Sequence, residues 1–191
     1  MVMELHHLLI DTANKIAPLT SDEAMHVRRY FKERVVKKNE ILLEAGNICN
    51  HVFFVTKGLL RTFHLKPNGS EFTRLFVAEG QFCTILESFS DHKLSPASIQ
   101  AVEDSLLLEI SEKDFNILVQ RSDTFQSIYL KILKEFQNFQ IKRIEFFTQC
   151  NAQEKIQIFH AENHHLASRL DKRIIASYLD ISPETYSRSI K

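Results

Sequence analysis

The chain has no tryptophan, only four glycines, four prolines and three cysteines among 191 residues, and no net charge. Each scarcity excludes something. With so little glycine and proline there is no low-complexity segment or flexible linker, so a boundary between domains has to be a helix. Cys49, Cys83 and Cys150 are odd in number, far apart and outside any C-x-x-C pair. That argues against a disulfide framework or a zinc site and suits a reducing cytosol. Lys plus Arg and Asp plus Glu number 24 each, so no overall positive field advertises nucleic acid, and any such contact must come from a local patch. No stretch reaches about 18 uninterrupted apolar residues, and Met1-Val2-Met3-Glu4-Leu5-His6-His7 lacks the basic and apolar regions of a signal peptide. The expectation is a cytoplasmic protein without a membrane partner.

What is present is an ordinary folding composition, 44% apolar and 25% charged. The length suits a core of about 120 residues with a small satellite. Leu5, Leu8, Leu9 and Ile16 fall at helical spacing, and Thr20-Ser21-Asp22-Glu23 offers a capping box ahead of a second helix through about Phe31. From Val35 the pattern changes to β-branched and aromatic runs cut by turn residues, with strands expected near 41–43, 51–56, 59–65, 71–77 and 98–110. Such strands predict a sandwich or roll rather than βα units. Two readings stay open for Arg61, His64 and Arg74: they line the roll, or they face solvent as polar residues of alternating strands more often do.

After Asp114 the strand signals stop. Phe125, Tyr129, Ile132, Phe136 and Phe139 then recur at steps of four and three, a seam on a helix running to about Phe147 and broken at Arg143. Ile128, Leu133, Ile141, Ile144 and Phe147 add more apolar surface than one packed side needs. Two readings stay open: a core helix lying on the β-domain, or a stem that packs on both the sheet and a two-fold mate.

The segment from Asp171 to Arg188 has the layout of a helix-turn-helix. Ile175, Ala176, Leu179, Ile181 and Tyr186 supply buried contacts, with Ala176 small enough for a close helix crossing. Ser182 is a good N-cap with Pro183 at the first helical position, so a second helix must start there. Asp180 occupies the turn where glycine is usual, which predicts left-handed backbone at a residue that tolerates it. On the second helix Arg188 could donate two hydrogen bonds to guanine, Glu184 could accept from cytosine, and Ser182, Thr185 and Ser187 could reach phosphates or base edges. The plainer reading of Glu184 and Arg188 is a helical ion pair.

Ile175-Ala176-x-x-Leu179-x-Ile181-Ser182-Pro183-Glu184-Thr185-Tyr186-Ser187-Arg188 resembles the "IA..LGIT.ETVSR" signature of the Crp/Fnr transcription regulators. The opening also resembles that family: Leu42-Leu43-x-x-Gly46, then Phe53-Phe54-Val55-x-x-Gly58-x-x-Arg61, then Glu79-Gly80-x-Phe82, with Glu103-Asp104-Ser105 to Glu109-Ile110 ahead of the long helix. The resemblance implies an α+β chain: a jelly-roll-like β-roll (double-stranded β-helix) sensor with flanking helices over 1–120, a dimerisation helix over 121–148 and a small all-α helix-turn-helix domain over 149–191. It implies DNA as a partner, a homodimer, and an effector of unidentified chemistry. Glu184 and Arg188 match the family's base-contacting positions, whereas Pro183 replaces an often base-contacting Arg. The sequence stops three residues after Arg188, which predicts a short recognition helix with no following hairpin and a carboxylate near the phosphates.

A cyclic phosphate needs an Arg, and its ribose a carboxylate. Aligned on Gly80-Gln81-Phe82, the family's Gly-Glu-Leu reads Thr84-Ile85-Leu86 here, and its Arg-Ser or Arg-Thr-Ala reads Ser95-Pro96-Ala97. Losing such contacts costs about 2–5 kcal/mol each, so cyclic AMP is expected not to bind with useful affinity. No other cofactor and no metal are expected. The cupin pattern fails because Lys66 stands where its second His should be. The adjacent pairs His6-His7 and His164-His165 point about 100° apart on a helix, and no cysteine precedes Cys49 to build an iron–sulfur sensor. No nucleophile elbow or triad can be assigned, so the chain reads as a non-enzyme. The alternative function is a degenerate, non-DNA-binding module for a ligand or partner protein. It is favoured by Asp180, Pro183, the early stop and a modest local charge of five basic to three acidic residues from Leu166 onward.

Overall fold

The computed structural model describes residues 2–190, with side chains from residue 5 onward. Helices α1 (Val2–Asn14) and α2 (Ser21–Tyr30) open the chain. The expected capping box starts α2: Thr20 Oγ1 accepts from the Glu23 amide at 3.3 Å and the Glu23 carboxylate accepts from the Thr20 amide at 2.8 Å. Burial would raise the Glu23 carboxyl, but hydrogen bonds from Ser122, Thr20 and Thr124 outweigh it and hold the group at about 2.

The strands are β1 (Lys32–Val36), β2 (Ile41–Leu43), β3 (His51–Lys57), β4 (Leu60–Leu65), β5 (Glu71–Val77), β6 (Phe82–Cys83), β7 (Ser98–Ala101) and β8 (Ser105–Ser111), with α3 (Leu86–Asp91) between β6 and β7. They form two antiparallel sheets, ordered β1-β8-β3-β6 and β2-β7-β4-β5, the alternation expected of a β-roll. Two details differ from expectation. The run at 98–110 is two strands, turning at Glu103–Asp104, and β1 and β6 are additional. Gly58 joins β3 to β4 at φ +104°, where a Cβ would lie 2.1 Å from Ser105 Oγ, so only glycine lets the strands pass this closely.

The helical part is likewise more divided than the periodicity predicts. Helix α4 (Glu112–Arg121) stops at Ser122, whose hydroxyl accepts from the Phe125 amide at 3.2 Å and starts α5 (Asp123–Gln149). Then follow α6 (Ala152–Glu162), α7 (His164–Ala167), α8 (Lys172–Leu179) and α9 (Pro183–Ser189). The seam of α5 faces its own roll. Phe125 and Ile128 are buried in the roll's apolar core, Ile132 packs against it, and Tyr129 meets Phe115 edge-on at 5.3 Å. The surplus apolar surface points elsewhere: Leu130, Ile141 and Ile144 are 63%, 49% and 64% exposed. Both open readings of this helix therefore keep a face.

Candidate nucleic-acid interface

Helices α8 and α9 meet at Asp180, which adopts φ 56°, ψ 47°, the left-handed conformation expected at this turn. Ile175, Ala176, Leu179 and Tyr186 are buried between the helices and their supports, and Ile181 packs at the edge of the same cluster. Ser182 Oγ accepts from the Thr185 amide at 3.1 Å and Pro183 takes the first turn, so α9 starts where the sequence requires. Tyr186 anchors the inner side. It is 1% exposed, stacks on His160 at 5.9 Å, and its hydroxyl lies 2.9 Å from His160 Nε2.

The opposite side of α9 faces outward. Ser182, Glu184 and Arg188 are exposed, while Thr185 and Ser187 are half-buried. The Ser182 and Thr185 hydroxyls lie 3.0 Å apart, and Arg188 Nε reaches back to the Glu184 carbonyl at 3.4 Å. The Glu184 backbone amide, the Ser182 hydroxyl and then the Arg188 charge hold the Glu184 carboxyl below the usual range. The surface thus offers a carboxylate acceptor and a guanidinium donor one helical turn apart.

Sequence reasoning missed how this unit is mounted. Leu59, Phe76 and Val102 on the roll share an apolar cluster with Ile156, Phe159, Leu166, Leu170 and the helix-turn-helix residues. Around it lies a polar network. Arg61 is not on a solvent face; it is 4% exposed, with Nη1 2.7 Å from Glu71 and Nε 2.8 Å from Gln100. Its neighbour Thr73 has its hydroxyl 2.6 Å from that of Ser177 on α8. Arg143, where the α5 seam breaks, donates to the carbonyls of Thr73 at 3.2 Å and Tyr178 at 2.5 Å and lies 3.7 Å over the Tyr178 ring. Burial lowers its pKa to about 10, so it remains a cation at neutral pH. Lys66, on the β4–β5 hairpin, pairs with Asp180.

Residues 33–122 match the cyclic nucleotide-binding domain family. The architecture superposes on FixK2 of Bradyrhizobium japonicum with a TM-score of 0.72 at 16% identity, covering 84% of this chain and 82% of that one. A protein of Eubacterium rectale described as a transcriptional regulator of the Crp/Fnr family gives 0.73 at 18% identity, covering 90% and 82%. The chain has the Crp/Fnr fold. It agrees with the resemblance carried by the sequence motifs, and a curated relative, the anaerobic regulatory protein of Pasteurella multocida, is 24% identical over 175 residues, 82% of this chain. The chain spans 61% of the length of that relative.

In this Crp/Fnr roll the positions aligned with the cyclic-nucleotide contacts are occupied by local structure. The buried Ser95 hydroxyl donates to the Ala97 carbonyl at 2.6 Å and accepts from the Ala97 amide at 3.2 Å, closing a turn on itself. Thr84 donates to the His51 carbonyl at 3.0 Å. Beside α5 the roll leaves an open apolar groove of about 510 Å³, with Leu9, Ala13, Phe82, Phe136, Phe139 and Tyr178 among its walls. Among the described residues no helix is long and apolar enough to cross a membrane.

Proposed function

We propose that the chain is a dimeric transcription regulator of the Crp/Fnr kind, a binding protein rather than an enzyme. It reads DNA with α9 under control of a roll that no longer takes cyclic AMP. The observation that carries this reading is the two-sidedness of α9: Tyr186 locks one side into the fold while Ser182, Glu184 and Arg188 stand clear on the other. The hydroxyls of Ser182, Thr185 and Ser187 serve phosphates or base edges, and Glu184 and Arg188 serve bases. Ser95 and the buried Ile85 in place of the charged contacts support the loss of cyclic AMP binding. The dimer is supported by α5, where Leu130, Gln137, Ile141 and Ile144 are exposed at steps of seven, four and three residues. The division into roll, stem and helix-turn-helix at 1–120, 121–148 and 149–191 is part of the same reading.

Selection from a random DNA pool at two salt concentrations tests it. The wild type should enrich a palindromic motif with half-sites about one helical turn apart. Arg188→Ala should lose about 1–3 kcal/mol at one base of each half-site. Failure of the wild type to enrich any motif would overturn the reading in favour of a ligand-binding or partner-binding module, for which the balanced charge speaks.

A further inference from the structure

Helix α8 is about 12 Å long, and the roll holds it at both ends. At its leading end Arg169, two residues before the N-cap Asp171, stands between two acidic turns of the roll. Its guanidinium donates to Glu79 at 2.9 and 3.1 Å and to Glu103 at 2.6 and 3.3 Å. Glu79 is itself tied into the roll, accepting from the Gly58 amide at 2.9 Å, and Glu103 lies on the β7–β8 turn, where its carbonyl accepts from the Ser105 hydroxyl at 2.8 Å. At its trailing end α8 is fastened through Ser177 to Thr73, through the Tyr178 carbonyl to Arg143, and through Asp180 to Lys66. Between the ends, Ile175, Ala176 and Leu179 share the apolar cluster with Leu59, Phe76 and Val102. A helix held at one end can swing. Held at both ends over a packed face, it has one orientation, and α9 inherits that orientation through the Asp180 turn.

We propose that the roll acts as the ruler of the DNA-binding unit: Arg169 is a positioning residue that, with Glu79 and Glu103, fixes the recognition helix relative to the roll and so sets the half-site spacing the dimer accepts. The inference rests on the DNA-binding dimer proposed above. Arg169 touches no base in this scheme. A two-carboxylate clamp on one guanidinium fixes direction as well as distance, because its donors lie in a rigid plane.

The test rebuilds the selected palindrome with its half-sites moved one and two base pairs closer or farther; each step shifts a half-site by about 3.4 Å and turns it by about 34°. The wild type should lose about tenfold or more in affinity per step, whereas Arg169→Met and Glu103→Gln should stay within about threefold across the series. Both variants should bind a single half-site as the wild type does. Retention of the wild-type spacing penalty by both variants overturns the proposal. So does a parallel loss of single-half-site binding in Glu103→Gln, which would make the clamp a support for folding rather than for orientation. A wild type that selects no DNA removes the DNA-binding reading itself and the ruler with it.

Discussion

Inside the roll, Phe54, Val55, Leu107 and Leu108 belong to one apolar core shared with the first helices, and backbone hydrogen bonds between β3 and β8 set their register. Between the roll and the C-terminal helices, the apolar contacts of Leu59, Phe76 and Leu179 are ringed by Arg61, Arg143, Arg169, Thr73 and Ser177. The two regions solve different problems. Apolar burial is non-directional and scales with area, so it can hold a fold together without choosing among nearby orientations. Charged and hydroxyl groups add little net stability once desolvation is counted, but their geometry discriminates between orientations. The first region holds the molecule together, and the second aims one part of it.

Truncating each core is the largest perturbation of this contrast. Phe54→Ala should cost about 3–5 kcal/mol and Leu179→Ala about 2–5 kcal/mol. In amide exchange, Phe54→Ala should lower protection throughout, whereas Leu179→Ala should release α8 and α9 while β3 and β8 keep theirs. Equal losses everywhere in both variants would mean that the two cores form one cooperative unit, and the contrast would fail.

Acid should act next most strongly, on the first region. Glu23, which ties α2 to the start of α5, titrates at about 2 against an ordinary 4.5. A folded value below the unfolded one means that its stabilisation is complete above about pH 5 and is lost as the pH falls toward 2. Urea titrations at pH 7 and pH 3 should show Glu23→Gln costing about 2 kcal/mol at the higher pH and much less at the lower. The smallest change sharpens the account of the second region. Asp180→Asn removes the Lys66 pair but keeps a residue that tolerates left-handed backbone, so stability should shift by no more than about 0.5 kcal/mol by thermal melting.

Where structure is governed by neighbours along the chain, it was legible. Thr20 and Glu23, Ser182 and Pro183, and the left-handed Asp180 each act within four residues, and their geometry is as the sequence implies. Strand β1 was not legible because Lys32, Glu33 and Arg34 give it the charged look of a loop. It lies at a sheet edge and pairs only with β8, and an edge strand tolerates charge. The burial of Arg61 depends on Glu71, Gln100 and Thr73, brought together by strand pairing that local alternation does not encode. Arg143 left a trace, the break in the α5 seam. Arg169 left none, since its two carboxylates lie 66 and 90 residues away in the chain. The outward residues of α9 were legible from helical spacing, but their mounting was not.

The shared cluster behind α8 bears on how such a chain can be recombined. Leu59, Phe76 and Val102 belong to the roll by sequence, yet the C-terminal helices bury them. A chimera grafting a foreign helix-turn-helix after Cys150 would bare these three side chains and strip the Glu79 and Glu103 carboxylates of their shared counter-ion. The graft would have to bring a complementary surface as well as a new recognition helix. In this protein the helix-turn-helix is not an interchangeable cassette, and redesigning its outer surface calls for substitutions on the outward side of α9 while the seat beneath it is kept.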